Sequence, residues 1–134
     1  MAESLVELRK TYEQSPFFQH LGFEFVELEK GNVMVKLALH RPLLNTLGML
    51  HGGIYATMID NIIGITVRSI TGRPLVTVQL NVHYLAPVGE GTIYAKGKVD
   101  RLGHRLITGE GEIVDEQGNV LAKGSGTFKQ VRKG

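Results

Sequence analysis

Apolar residues recur three and four positions apart over one long stretch of the chain, which predicts a helix from about residue 51 to 70. Ile54, Met58 and Ile62 lie on one stripe, and further apolar side chains extend around the cylinder. Polar residues and one glycine share a narrow line along it: Thr57, Asp60, Asn61, Gly64 and Arg68. A helix this apolar is expected to be buried on most sides, and the charges within it argue against a membrane span.

Alternation of apolar and polar residues predicts strands in most of the remaining chain. Two strands are expected before the long helix and four after it, at about 23–28, 33–39, 76–84, 92–100, 105–114 and 119–128. The third strand is expected to bury one row of side chains: Val76, Val78, Leu80, Val82 and Tyr84. Ser4 and Glu7 have the spacing of a capping box, so a short helix is predicted from residue 4 to 14, with Pro16 ending it.

Glycines lie on one face of the last three predicted strands, between apolar residues. They are Gly97, Gly109, Gly111, Gly124 and Gly126. Glycine weakens a strand, so these rows indicate that a bulky element, the long helix, approaches the sheet closely. The sequence therefore predicts an α+β fold, a single domain over residues 1–134 in which a curved antiparallel sheet wraps around one central helix.

Composition narrows the possible functions only slightly. The chain has no cysteine, which excludes disulfides and thiolate chemistry, and its five histidines lack the spacing of a metal site. A net charge of +2 is too weak to indicate nucleic-acid binding but is compatible with a small anionic ligand. No charged-then-apolar leader pattern is present at the start of the sequence, so a cytoplasmic protein that does not enter membranes is expected.

The entry to the long helix carries a spaced motif, N-x5-H-G-G-x6-D, formed by Asn45, His51, Gly52, Gly53 and Asp60. With this motif and its order of elements, the chain resembles the hotdog-fold acyl-CoA thioesterases over about residues 17–128. These enzymes form the 4-hydroxybenzoyl-CoA thioesterase superfamily, and the resemblance is to its phenylacetate-pathway and thioesterase-superfamily-member-2 types. It implies hydrolysis of an acyl- or aryl-CoA thioester to free acid and CoA.

Two groups of the motif suit the chemistry of thioester hydrolysis. Unpaired amides at a helix N-terminus can stabilise an oxyanion, and Gly52 would let a substrate carbonyl approach that backbone. Asp60 could activate water or attack the carbonyl itself, and the sequence leaves these two roles open. The alternatives are that Gly52 and Gly53 only form a tight turn, and that Asp60 is satisfied by a hydroxyl, by backbone amides or by Arg68.

The resemblance implies roles for three further residues. It places Asn45 where it would orient the thioester or the water, although a loop asparagine often caps backbone groups instead. His51 belongs to the predicted catalytic set, with bonding to backbone at the helix entry as its expected contribution. Thr77 matches a site hydroxyl that positions water near the aspartate.

Coenzyme A would enter as part of the substrate, and no further cofactor or metal is expected. Residues predicted to bind substrate lie beside the helix entry and in a basic hairpin near the end of the chain. They are Gly53, Tyr84, Pro87, Arg101, Gly103, His104, Arg105 and Lys129, with Lys123 as a further candidate cation. The basic hairpin could equally be a solvated turn. An apolar acyl pocket suited to medium-chain or aryl groups is expected from Phe17, Phe18, Leu43, Leu47, Met49 and Tyr55.

Spacing along the helix adds a prediction about assembly. Gly52 and Asp60 are eight residues apart, or about 12 Å along a helix axis, so one chain cannot easily bring both to one carbonyl. A two-fold homodimer can, with two sites at its interface. The resemblance implies a sheet that continues across the dimer and often a dimer of dimers. The alternatives to an enzyme of this kind are a non-catalytic acyl-CoA-binding protein and a dehydratase or hydratase, although the motif that the last two usually carry is missing.

Overall fold

The computed structural model describes residues 2–131 and has one six-stranded antiparallel sheet around a long helix. Three helices are formed: α1 (Leu5–Glu13), α2 (Pro16–Leu21) and α3 (Gly52–Thr71). The strands are β1 (Phe23–Glu29), β2 (Asn32–Ala38), β3 (Leu75–Tyr84), β4 (Thr92–Leu102), β5 (Leu106–Val114) and β6 (Val120–Gln130). Their order in the sheet is β1-β2-β4-β5-β6-β3, so β3 lies at one edge. The predicted α+β architecture is confirmed.

The apolar side chains of α3 form the centre of the hydrophobic core. Ile59, Ile63 and Ile65 are fully buried, and the helix packs against β2, β3, β4, β5 and β6. Gly72 ends it in the left-handed conformation, at φ 65°, and its amide bonds to the carbonyl of Arg68. Despite this apolar character, no helix within residues 2–131 is long and apolar enough to cross a bilayer.

The strand glycines let α3 lie directly against the sheet. A Cβ added at Gly124 would stand 2.6 Å from Ile59 Cγ2, and one at Gly109 would stand 2.7 Å from Ile63 Cγ2. Separations this short do not occur between real side-chain carbons. The close approach predicted from the glycine rows is therefore confirmed, and it fixes the position of α3 relative to every strand that carries a glycine.

This contact gives a stability prediction for Gly124. Gly124→Ala should lower the free energy of unfolding by about 2 kcal/mol, because overpacking a core typically costs 1–3 kcal/mol. Ser125→Ala is the matched control, since the next side chain of β6 is exposed on the other face and should change stability by less than about 0.5 kcal/mol. Denaturant unfolding at one protein concentration measures both, and equal stabilities would contradict the packing described.

The N-terminal region differs from expectation after residue 14. The capping box is formed, with Ser4 Oγ accepting from the Glu7 amide and the Glu7 carboxylate accepting from the Ser4 amide. Pro16, however, begins a second helix instead of simply ending the first. Ser15 caps α2, and Pro16 occupies its first position, where a missing amide hydrogen costs nothing. This Ser-Pro pair was the available signal for α2.

The predicted buried face of β3 is wrong in its first half and at its last residue, Tyr84, which is 56% exposed. The register of β3 against β6 shifts between Thr77 and Gln79, so β3 contains a bulge there. Thr77 consequently points to α3, whereas Val76 and Val78 are 51% and 56% exposed on the chain by itself. Strict alternation across the strand could not reveal the bulge, because one inserted residue exchanges the two faces.

Candidate active site

The first peptide of α3 is held from both sides. His51 is the N-cap residue, and its Nδ1 accepts a hydrogen bond of 2.8 Å from the Gly53 amide. The Tyr84 hydroxyl donates to the Gly52 carbonyl at 3.0 Å. Among residues 2–131, no group accepts a hydrogen bond from the Gly52 amide. The Gly52 N–H is thus a fixed donor at the positive end of the longest helix.

The two glycines of this turn meet different surroundings. A Cβ at Gly53 would stand 3.0 Å from His51 Nδ1, so a side chain there would press on the cap. A Cβ at Gly52 would only make ordinary contact with the Tyr84 ring, at 3.5 Å. A methyl group at the second glycine would have to displace the His51 ring slightly, whereas the first position has room for one.

Two turns further along α3, Asp60 is held by Thr77. The Thr77 hydroxyl donates to Asp60 Oδ1 at 2.6 Å. No side chain or backbone group in the described part of the chain donates to Oδ2. The alternative pairing with Arg68 is not formed, because the guanidinium binds Glu3 through two nitrogens. Asp60 therefore keeps one carboxylate oxygen for a substrate or a water, in a cavity of about 130 Å³.

Asn45 lies in the loop before α3 and organises that loop. Its Oδ1 accepts from the amides of Leu47 and Met49, at 2.9 and 3.1 Å. This is the backbone-capping role that the sequence left open for it. The side-chain NH2 of Asn45 donates to no group within residues 2–131, so it can still donate to a ligand.

Four of the residues predicted to bind substrate converge on a second cavity. Gly103, His104, Arg105 and Lys129 line about 930 Å³. Arg73 is a further basic residue of this lining. The sequence did not predict it as a substrate-binding residue, because only the pairing of β3 with β6 brings the turn before β3 to this cavity. Arg101 lies outside this lining, exposed on β4. Lys123 is engaged with Glu112 at 3.9 Å on the outer face of the sheet.

The remaining predicted substrate-binding residues, Gly53, Tyr84 and Pro87, belong to the opposite end of β3. Tyr84 contacts the start of α3, and Pro87 follows in the exposed segment after the strand. The basic cavity includes Val76, eight residues earlier in β3, or about 26 Å away along an extended strand. One chain therefore presents its two sets of predicted substrate-binding residues at opposite ends of its edge strand.

The predicted acyl pocket is not assembled as expected. Phe18, Leu43 and Tyr55 are buried in the core, with 3%, 3% and 4% of their surface exposed. The other three members are exposed to solvent: Phe17, Leu47 and Met49. The cavity beside Asp60 instead draws on residues not assigned to the pocket, and its lining outside the Asp60–Thr77 pair is Tyr12, Asn61, Gly64, Arg68, Leu75 and Phe128.

Comparison with known proteins identifies the family. The family model described as Thioesterase superfamily matches residues 47–122. A protein of Saccharolobus solfataricus described as a candidate esterase is 30% identical over 97% of this chain and 87% of its own. Acyl-coenzyme A thioesterase 13 of Pongo abelii is 29% identical, over 95% of this chain and 94% of its own.

Solved structures show the same fold. The Escherichia coli PaaI protein from the phenylacetic acid degradation operon superposes with a TM-score of 0.87 at 22% identity. The match covers 96% of this chain and 97% of that one. The central helix inside a curved antiparallel sheet is therefore the hotdog fold. The chain belongs to the thioesterase superfamily and is a thioester hydrolase of the hotdog fold.

Proposed function

We propose that this protein is an acyl-CoA thioesterase whose two reaction centres form between two copies of the chain. One observation carries the proposal: the Asp60–Thr77 pair lies near the start of β3, whereas the Gly52–Tyr84 pair lies at its end. An antiparallel copy of the strand, placed edge to edge, sets the start of one β3 against the end of the other. Asp60 of each copy then faces the free Gly52 amide of the other.

The edge of the sheet supports this pairing. β3 has ten residues and one unpaired side, and its Val76 and Val78 side chains are exposed on the single chain. Long apolar edge strands are normally covered, because their free backbone groups recruit further strands. A two-fold contact through β3 covers the edge and satisfies those groups in one step. A further pairing of two such dimers is compatible with it.

The chemistry of each centre follows from the two groups. The Gly52 amide of one chain donates to the thioester carbonyl oxygen and stabilises the negative charge that develops there. Asp60 of the other chain takes a proton from water as the water oxygen bonds to the carbonyl carbon, or its free oxygen attacks that carbon directly. The C–S bond then breaks, and a proton passes to the CoA sulfur. In the second route, water then hydrolyses the mixed anhydride between the acyl group and Asp60, which releases the acid and restores the carboxylate.

The basic cavity provides a place for the charged end of coenzyme A. Arg73, Arg105 and Lys129 gather positive charge near the start of β3, where phosphate groups would be bound through charge-assisted hydrogen bonds. In the proposed dimer, the end of the partner's β3 lies next to this region. The CoA moiety can therefore extend from the shared centre to these cations, and no additional cofactor takes part.

Thiol release from a panel of acyl-CoA thioesters tests the function. Free CoA, detected with a thiol reagent, should appear for at least one thioester at a turnover well above the rate without enzyme. The corresponding oxygen esters and amides should not be turned over. Binding of acyl-CoA without any thiol release across the panel would identify a binding protein instead and contradict the proposal.

The Thr77 hydroxyl gives a prediction of smaller size. Thr77→Val has nearly the same shape but loses the 2.6 Å bond to Asp60, so we expect kcat to fall about tenfold, the effect of roughly 1.4 kcal/mol on the barrier. Thr77→Ser should restore most of the rate because it keeps the donor. Steady-state kinetics on a thioester that the enzyme hydrolyses checks both, and an unchanged kcat for Thr77→Val would show that the bond does not position Asp60.

A further inference from the structure

The polar line of α3 continues beyond Asp60 as a groove. Asp60, Gly64 and Arg68 follow one another at intervals of four residues, so they lie on one face over about 12 Å. All three line the cavity beside the Asp60 carboxylate, with Asn61 at its side and the Phe128 ring opposite Gly64. An acyl group whose carbonyl carbon lies at Asp60 has this groove in front of it.

Tyr12 of α1 forms a wall of the groove. The helix is fixed by its capping box and by Leu8, which is 1% exposed. The Tyr12 ring packs against Phe18 and Phe25, with ring centroids 5.8 and 6.4 Å apart. The guanidinium of Arg68 lies over its face at 5.7 Å. The wall is therefore built from several directions and does not depend on a single contact.

Asp60 has no cationic partner among the charged groups around the groove. Arg68 forms its ion pair with Glu3, and both side chains are mostly buried, at 17% and 16% exposure. Burial raises the pKa of the Tyr12 hydroxyl, which therefore stays neutral at physiological pH. No cation in the groove lining remains to bind an anionic acyl group, so an acyl chain that ends in a carboxylate would meet net negative charge.

Gly64 is not explained by packing within the chain. Glycine in the middle of a helix is destabilising relative to alanine. A Cβ at this position would have Phe128 Cε2 as its nearest neighbour, at 3.8 Å, which is ordinary contact. The fold could accept a methyl group here, yet the space is left open beside Asp60. The empty position is therefore better explained by a ligand than by the core.

We propose that the acyl group of the substrate lies along Asp60, Gly64 and Arg68, and that Tyr12 and Gly64 limit its size, so that the enzyme selects compact, uncharged acyl groups. This inference rests on the proposed thioesterase function. The cavity of about 130 Å³ is similar to an engineered cavity of about 150 Å³ that holds benzene. Acyl groups up to the size of one ring therefore fit within this cavity, whereas a long alkyl chain would extend beyond it.

Chain-length profiles of variants test the inference. For straight-chain acyl-CoA thioesters from acetyl to dodecanoyl, kcat/KM of the wild type should decline beyond hexanoyl. Tyr12→Ala should raise the dodecanoyl-to-butyryl ratio of kcat/KM about tenfold, and Gly64→Ala should lower the hexanoyl-to-butyryl ratio about tenfold, since one methylene in a pocket changes discrimination by at least that factor. Tyr12→Phe keeps the size of the wall and should keep the position of the optimum. Coinciding profiles for Tyr12→Ala, Gly64→Ala and wild type would overturn the proposal.

Two controls separate a specificity effect from damage to the fold. Gly64→Ala should raise the melting temperature, because alanine stabilises a helix relative to glycine. A loss of activity on larger acyl groups together with a higher melting temperature cannot come from misfolding. Lys10→Ala, on the exposed side of α1, should leave the profile unchanged.

The charge of the acyl group is tested with two thioesters of equal chain length. Succinyl-CoA should be a poorer substrate than butyryl-CoA by about tenfold or more. The reverse preference would contradict the proposal that the enzyme selects uncharged acyl groups.

A binding experiment keeps this inference distinct from the proposed function. Non-hydrolysable acyl-CoA thioethers of the same chain lengths, titrated by calorimetry, should show the same order of affinities and the same shifts in Tyr12→Ala and Gly64→Ala. If the wild type hydrolyses no thioester, the proposed function fails while the thioether series still reports on the groove. If hydrolysis occurs but neither the rates nor the affinities respond to the two variants, only the acyl-groove assignment fails.

Discussion

Asp60→Asn is expected to lower kcat for thioester hydrolysis by about a thousandfold, within the range that general acid–base groups contribute. The amide keeps the size of the side chain and an oxygen that can accept from Thr77, whose hydroxyl bonds to Asp60 Oδ1 at 2.6 Å. It removes the negative charge that activates water or attacks the carbonyl. Thermal unfolding should consequently change little, because Asp60 has no ion pair to lose. Single-turnover and steady-state rates, measured on one thioester, give the loss.

A remote carboxylate provides the control for this loss. Glu112→Gln removes a charge on the outer face of the sheet, where Glu112 lies 3.9 Å from Lys123, and should leave kcat within about twofold because exposed pairs contribute little. An Asp60→Asn enzyme with near wild-type kcat would remove Asp60 from the mechanism. A single turnover in ¹⁸O-labelled water, read in both the acid and the protein, then identifies direct attack if the first acid is unlabelled and Asp60 gains ¹⁸O, because water has opened the anhydride at the Asp60 carbonyl. Water activation by Asp60 puts ¹⁸O into the acid and none into Asp60.

Gly52→Pro should lower kcat by about a hundredfold or more, the usual loss for one oxyanion donor. The substitution deletes the free amide hydrogen and changes little else. Proline is favoured at the first position of a helix, and His51 already has φ −63° and ψ 136°, the extended backbone that a residue before proline adopts. The nearest atom to a Cβ at Gly52 is 3.5 Å away on Tyr84, so the ring has room to begin there.

Gly52→Ala is the matched control, because it adds the Cβ but keeps the amide. Its kcat should stay within a few-fold of wild type, and both variants should unfold within about 0.5 kcal/mol of each other. Equal losses in Gly52→Ala and Gly52→Pro would mean that the side chain, not the N–H, disturbs the site. Little loss in either would show that the oxyanion donor is another group.

Local patterns were sufficient to predict the parts of the fold that are determined locally. The period of the apolar residues located α3, the Ser4–Glu7 spacing located α1, and the glycine rows predicted where helix and sheet meet. Each of these features depends on residues close in sequence or repeated along one strand. Ser15-Pro16 was a local signal of the same kind for α2, and it was interpreted only as the end of α1.

Features that depend on strand register, or on the packing of distant elements, could not be predicted from local sequence patterns. The bulge in β3 turned Thr77 toward Asp60, and no residue type at Thr77, Val78 or Gln79 marks it. Only the resemblance to the thioesterases had implied that the Thr77 hydroxyl lies near the aspartate. Tyr12 and Arg73 reach their cavities from distant parts of the chain, through the packing of α1 on α3 and the pairing of β3 with β6. Asn45 remained ambiguous for another reason, since a loop asparagine caps backbone whether or not it also binds a ligand.

Mixing two inactive variants tests the shared reaction centre most directly. In a heterodimer of an Asp60→Asn chain and a Gly52→Pro chain, one interface site combines both defects and the other has neither. Differently tagged chains, co-expressed and purified through both tags, should therefore regain about half of the wild-type kcat per dimer, while each variant alone stays inactive. If Asp60 and Gly52 served a centre within one chain, both sites would remain defective, and verified heterodimers without recovered activity would contradict the account.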